Sequence, residues 1–207
     1  MAGNGGKLMI LSTGFLLLFC VFMTAQNLAS QVLDDLGFGN LGFYSLAVLY
    51  FIFAFSCFIA TPIVNKCGER FSMTVGSMCY TFYTASFILA SLPGQYPEDA
   101  SNWYASKDFI GFTNLFGAAC NGFGAAILWV AQGRYISRIA NDSNKGTYNS
   151  IFRAFMQVSG IFGALFSALV LKNTNTFNFY SIMTAIGILA SLFFLFLPPV
   201  DNTKSEL

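Results

Sequence analysis

The sequence predicts an all-α membrane protein of six transmembrane helices, and three observations carry the prediction. Six apolar stretches, at 8–29, 41–64, 71–92, 109–133, 150–171 and 177–197, fill most of the 207 residues. A helix rises about 1.5 Å per residue, so ~20 apolar residues cross a hydrocarbon core about 30 Å thick. Charged residues are 9% and hydrophobic residues 56% of the chain, where a soluble domain typically carries about 25% charge. A soluble chain of this size buries only about 70% of its surface, too little to hide six helices that are apolar all round. The expectation is one six-span transmembrane domain over residues 1–207, with the lipid bilayer as its surroundings and no nucleic-acid partner.

The first run follows Lys7 and could pass for a secretory signal. Leu8 to Ala25 is longer than the usual apolar core of such a signal, about 7–15 residues, and no small-x-small cleavage site follows. We read it as a retained helix. Between spans three and four lies the longest polar connection, Pro93 to Asp108. Its Pro93-Gly94 pair marks a turn, and Trp103 and Tyr104 suit a membrane–water interface.

Span four carries Ala118, Gly122 and Ala126, and span five carries Ser159, Gly163 and Ser167, with Gly160, Ala164 and Ala168 beside them. Small residues four apart share a helix face and let backbones approach closely. The stripes predict that helices four and five pack on each other. A phenylalanine such as Phe194 in span six is expected to tolerate leucine. After that span come Pro198-Pro199 and a polar tail.

Basic residues orient the bundle. With a cytoplasmic N-terminus, the cytoplasmic segments hold Lys7, Lys66, Arg70, Arg134, Arg138, Lys145, Arg153 and Lys204, and the other side holds Lys107 and Lys172. That asymmetry satisfies the positive-inside rule and puts both termini in the cytoplasm.

The chemistry visible in the sequence is sparse. There is no histidine, the commonest general base and metal ligand. The five cysteines (Cys20, Cys57, Cys67, Cys79, Cys120) have no paired spacing, and no disulfide is expected. No paired acids or nucleophile–base set is visible, so neither an enzyme nor a cofactor or metal site is expected. No carboxylate lies deep in a span, which argues against an ion-coupled pump, since such pumps commonly use one as relay. The polar groups at membrane depth are Gln26, Asn27, Asn114, Asn121, Gln132 and Gln157. These amides suit hydrogen bonds to neighbouring helices or contacts to a ligand, and both readings stay open. Arg153, at the start of span five, snorkels to the headgroups, pairs with an acid, or serves as a functional charge.

The turn after span two reads Thr61-Pro62-Ile63-Val64-Asn65-Lys66-Cys67-Gly68-Glu69-Arg70. It resembles the signature loop of the major facilitator superfamily, Gly-x-Leu-x-Asp-Arg-x-Gly-Arg-Arg. Lys66, Gly68 and Arg70 match in type, whereas Thr61, Asn65 and Glu69 depart. The superfamily aspartate belongs to a charged latch, and Asn65 brings no charge to that place. The segments Tyr44–Tyr50, Ser72–Tyr80 and Gly122–Tyr135, with Ala25–Leu28 and Phe152–Ser159, resemble the uncoordinated-ninety-three family, an atypical branch of that superfamily.

The resemblance implies six helices like the N-terminal half of a major facilitator bundle, with helices one to three and four to six as inverted repeats. It also implies a regulatory or trafficking partner of other membrane proteins, such as ion channels. Spans one, two, four and five would then line an inner face that meets another membrane protein, a second six-span half, or a second copy. The alternative is a facilitator-type carrier of a small solute, working as a dimer or with a second half. Family members normally have about twelve spans. This chain therefore reads as a fragment, a truncated product or a half-unit that dimerises.

The orientation is testable directly. Epitope tags on Met1 and Leu207 are expected to react with antibody only after cells are permeabilised. The Asn141-Asp142-Ser143 sequon is expected to stay unglycosylated. Labelling of either terminus in sealed cells overturns the orientation.

Overall fold

The structure, a computed structural model, describes residues 3–96 and 102–200. Six helices follow one another: α1 (Asn4–Asp35), α2 (Leu41–Cys67), α3 (Glu69–Gln95), α4 (Lys107–Ile139), α5 (Lys145–Asn173) and α6 (Thr176–Leu195). All six are long and apolar enough to cross a membrane, and no strand occurs among the described residues. The chain is an integral membrane protein. Its helices outrun the apolar stretches: α4 has 33 residues, about 50 Å at 1.5 Å each, and its polar ends stand clear of the hydrocarbon.

The boundaries follow local chemistry. Gly68 alone separates α2 from α3, with φ 83°, a left-handed conformation that only glycine adopts cheaply. Ser106 caps α4 by accepting a hydrogen bond from the Phe109 N–H, and Asn175 caps α6 through the Asn178 N–H. Pro93-Gly94, expected as a turn, instead lies in the last turn of α3, where a proline forfeits a single backbone bond. Trp103 and Tyr104 form a short 3-10 turn before α4. Part of this connection, residues 97–101, lies outside the described residues.

Up-and-down connections put the start of α1 and the close of α6 at one end of the bundle, where the Lys7 ammonium donates to the Pro199 carbonyl at 3.0 Å. We call this the termini end. The most extensive packing joins α3 to α4, α2 to α4, α3 to α6, α1 to α5, and α1 to α6. Exchanging the first three helices with the last three maps α2–α4 onto α1–α5, and α3–α4 onto α1–α6. That is the pairing of an inverted repeat.

Aromatic rings fill the centre. Phe15 of α1 sits 5.6 Å from Trp129 of α4, 4.9 Å from Phe152 of α5 and 5.3 Å from Phe194 of α6, ring centre to ring centre. Phe19 and Phe22 extend the cluster to Tyr80 of α3, at 5.5 Å and 4.6 Å. Tilted and edge-on pairs of this kind contribute about 0.5–1.5 kcal/mol each beyond their area. Phe194 is thus fully buried, contrary to its expected tolerance of leucine. The sequence marks it as one apolar residue among many, and only the fold points it at Phe15.

The two small-residue stripes do pack closely, but not on each other. A Cβ on Gly122 would collide with the Leu49 carbonyl oxygen of α2, and one on Gly163 would lie 2.7 Å from the Cys20 carbonyl oxygen of α1. Ala118, Ala126 and Ser159 are buried along these seams, as is Ser167, whose hydroxyl donates to the Gly163 carbonyl at 2.9 Å. Helices α4 and α5 touch only marginally. The expected α4–α5 pairing is therefore corrected to α4–α2 and α5–α1. The two glycine seams, α4–α2 and α5–α1, each join parallel helices that are not adjacent in sequence, and the inverted repeat makes one seam the image of the other.

Gly122→Leu and Gly163→Leu are each expected to lower stability by about 1–3 kcal/mol, the usual range for overpacking. Because the two glycines serve separate seams, the double variant is expected to be additive within about 0.5 kcal/mol. Phe58→Leu, at a side chain 82% exposed, is the neutral control. Thermal unfolding in detergent measures all four, and strong coupling between the glycines would restore a shared α4–α5 contact.

Candidate functional site

Helices α2 and α5 are the least enclosed. Only 22% and 17% of their central windows are buried, against 61% for α1 and α4. They flank a groove floored by α1 and α4. Its larger part, a cleft of about 600 Å³, is lined by Phe19 and Met23, by Trp129 and Gln132, and by Asn149, Phe152, Arg153, Met156 and Gln157. A smaller part of about 200 Å³ adds Gln26, Tyr50 and Tyr80. The two share Phe19, Met23 and Trp129 and make one continuous groove. A third hollow of about 320 Å³ follows the α1–α5 seam and contains Asn27.

The groove and the adjoining hollow gather five of the polar residues singled out in the sequence. The Gln26 amide donates to the Tyr50 hydroxyl at 2.6 Å, while its buried carbonyl oxygen has no partner. Asn27 lies exposed beside Gly160 and Ala164. Gln132, Arg153 and Gln157 meet in the large cleft.

Asn114 and Asn121 do not reach this face: both are fully buried. The Asn114 amide donates to the Ser86 hydroxyl of α3 at 3.0 Å. Asn121 shares a helical face with Gly117 and Gly124, which press on Tyr83 and Cys79 of α3, and neither of its polar atoms has a partner. Of the two readings open to these amides, the structure gives Asn114 the hydrogen bond to a neighbouring helix; helical spacing places a residue on a stripe but does not say which neighbour that stripe meets.

The second constellation lies at the termini end. Glu69, at the start of α3, pairs with two arginines from the last turns of α4: Arg134 Nε lies 2.7 Å and Arg138 Nη1 2.8 Å from the same carboxylate oxygen. Arg134 also donates to the Asn65 side-chain carbonyl. Two of the three residues that depart from the loop pattern, Asn65 and Glu69, hold α4. The charge absent at Asn65 is supplied four residues later by Glu69.

The same end is tied to the close of α6. Arg70 donates to the Leu195 carbonyl at 2.6 Å, and the Tyr135 hydroxyl donates to the Pro198 carbonyl at 2.8 Å. Lys66 is exposed and Gly68 makes the turn. Arg134 and Arg138 counted in the sequence only as orienting charges. Their four-residue spacing, which puts both on one helix face, was the available sign that they act together.

These features lie in a region that other proteins share. The family model described as "Ion channel regulatory protein UNC-93" matches residues 39–206. The chain belongs to the UNC-93 family. It is 31% identical over 210 residues to the UNC93-like protein MFSD11 of Xenopus tropicalis, covering 97% of this chain and 43% of that protein. It is 33% identical to protein unc-93 homolog A of Mus musculus over 79% of this chain and 33% of that one. With UNC93-like protein 3 of Arabidopsis thaliana the identity is 30%, over 79% and 32% respectively. No solved structure matches. The chain thus spans less than half the length of these UNC-93 relatives. The UNC-93 match takes in Asn65, Glu69, Arg134 and Arg138 together with Arg153 and Gln157, so the charged end and the α4 and α5 walls of the large cleft fall inside it.

Glu69→Gln is expected to destabilise the bundle by about 1–3 kcal/mol, because it leaves two partly buried guanidiniums sharing one neutral acceptor. The loss is expected to shrink in high salt, which screens the repulsion between Arg134 and Arg138. Thermal unfolding in detergent at low and high salt checks both, and an unchanged Tm would deny the ion pairs a structural role.

Proposed function

We propose that this UNC-93 family chain is a non-enzymatic accessory protein of other membrane proteins, ion channels being the class that the family description names. It acts by lateral association: another membrane protein, a second six-span half, or a second copy covers the groove face of α1, α2, α4 and α5. Both termini lie in the cytoplasm. The charged end then faces the cytoplasm and stiffens the face from one side.

One observation supports this reading above the rest. The open face carries amides at Gln26, Asn27 and Gln157, and those of Asn27 and Gln157 have no hydrogen-bond partner among the described residues. Asn27 and Gln157 are exposed on this face; an amide facing hydrocarbon is unfavourable, and a neighbouring helix satisfies it for about 0.6–2 kcal/mol. Around these amides α2 and α5 expose Phe51, Phe55, Ile161 and Leu165, which offer contact area to a partner as readily as to lipid. The likeness of the chain to one half of a major facilitator bundle points to the same face.

Replacing Gln26, Asn27 and Gln157 together with leucine is expected to reduce crosslinking to partners in native membranes several-fold while Tm stays within a few degrees. Undiminished crosslinking overturns the assignment of this face. Saturable solute uptake by the purified monomer in proteoliposomes would replace the accessory reading with the carrier.

A further inference from the structure

We propose that the termini end of the groove binds an anion that carries an apolar body, with the acidic group held by Arg153. The inference concerns a ligand of the chain itself and is independent of any protein partner.

Arg153 stands apart from the other cations at this end. Arg70, Arg134 and Arg138 have acceptors, and so does Lys7. Lys66 and Lys145 lie outside the apolar runs, within reach of water. Arg153 lies inside one, eight residues into α5 and so about 12 Å along it. The ion pair that the sequence allowed for it is absent: no described residue accepts from its guanidinium. Its side chain is exposed, and an unpaired cation at the edge of an apolar run is open to an anionic partner.

The surroundings specify the ligand. The cleft of about 600 Å³ has nine lining residues and none is acidic, so a cationic ligand finds nothing to pair with. The Gln132 and Gln157 amides also lack partners within the described residues and can donate beside the guanidinium. Donors without a carboxylate suit an acceptor-rich group such as a phosphate or carboxylate.

Asn149 donates its amide to the Lys145 carbonyl, and the remaining walls are Phe19, Met23, Trp129, Phe152 and Met156. They continue from the polar mouth toward the middle of α1, where an acyl chain or similar body replaces water. A bare phosphate leaves most of a cleft this size unfilled, and clefts of about 300–1,000 Å³ typically hold larger ligands. Two sources share the chemistry: the headgroup of an anionic lipid, and a free phosphate-bearing amphiphile.

Trp129 lines the cleft, and the only other tryptophan is Trp103. The Trp103→Phe protein therefore reports on the cleft by fluorescence. In vesicles of phosphatidylcholine, phosphatidic acid with brominated acyl chains is expected to quench Trp129 more strongly than brominated phosphatidylcholine does. Arg153→Gln is expected to raise the phosphatidic acid needed for half-quenching at least tenfold. Arg153→Lys is expected to restore part of the effect, and Lys145→Gln, a cation of the same end outside the cleft, to leave it unchanged.

Loss of the excess quenching on adding soluble dihexanoyl phosphatidic acid supports the site with a free amphiphile as its source. Its persistence supports the membrane lipid. Equal quenching by the two brominated lipids, or an unchanged response in Arg153→Gln, overturns the proposal and leaves Arg153 to an acidic side chain of a protein partner.

Discussion

The bundle rests on backbones that touch. Inside a bilayer the hydrophobic effect does not press helices together, because lipid tails are as apolar as the side chains they would meet. Association then depends on dense van der Waals contact and on satisfied polar groups. At Gly122 the α4 backbone meets the Leu49 carbonyl of α2, and at Gly163 the α5 backbone meets the Cys20 carbonyl of α1. These two seams are equivalents in the inverted repeat. They bind each half-repeat to the other, and they set how far apart α2 and α5 stand across the groove. The aromatic cluster around Phe15 depends on that spacing, since its rings reach α4, α5 and α6 only when the seams hold α1 in register.

The charged end answers a different demand. A one-residue turn at Gly68 leaves α2 and α3 little freedom to splay, and Glu69 then draws α4 in through Arg134 and Arg138. One carboxylate serving two arginines keeps a net positive charge at this end. Such a cluster is firm while its carboxylate is ionised and neighbours such as Asn65 share the load. The carbonyls at the end of α6, held by Arg70 and Tyr135, join the last helix to the same cluster. With Lys7 of α1 on the Pro199 carbonyl, five of the six helices are tied at one end among the described residues, and the exception is α5, the helix that carries Arg153.

The number, type and approximate extent of the helices were legible because six apolar runs with so few charges admit little else. The small-residue stripes were legible as packing surfaces for the same physical reason. Their partners were not. A stripe on Gly122 records that something comes close, and sequence adjacency suggested α5 where the inverted topology supplies α2. Asn114 and Asn121 show the same limit, since spacing alone could not separate the groove face from the α3 face. Phe15 and Phe194 were hidden among 25 phenylalanines, and nothing local distinguishes a ring in the hub from one in lipid. The Glu69 cluster was obscured by a loop pattern in which the acid stands elsewhere.

Placement also changes what the polar residues mean. Asn114 binds Ser86 and is spent on structure. Asn121 is sealed between helices with both polar atoms unmet, a local cost that the packing of Gly117 and Gly124 around it must outweigh. Asn27, Arg153 and Gln157 are exposed instead, and with the half-buried Gln26 and the buried Gln132 they line the hollows on one side of the bundle. Helices that only had to fill a membrane would turn such groups inward and satisfy them there, as α4 does with Asn114. Keeping five of them on the face that α2 and α5 leave open makes that face unfavourable while bare. The same five groups make it selective once something with matching acceptors and donors covers it.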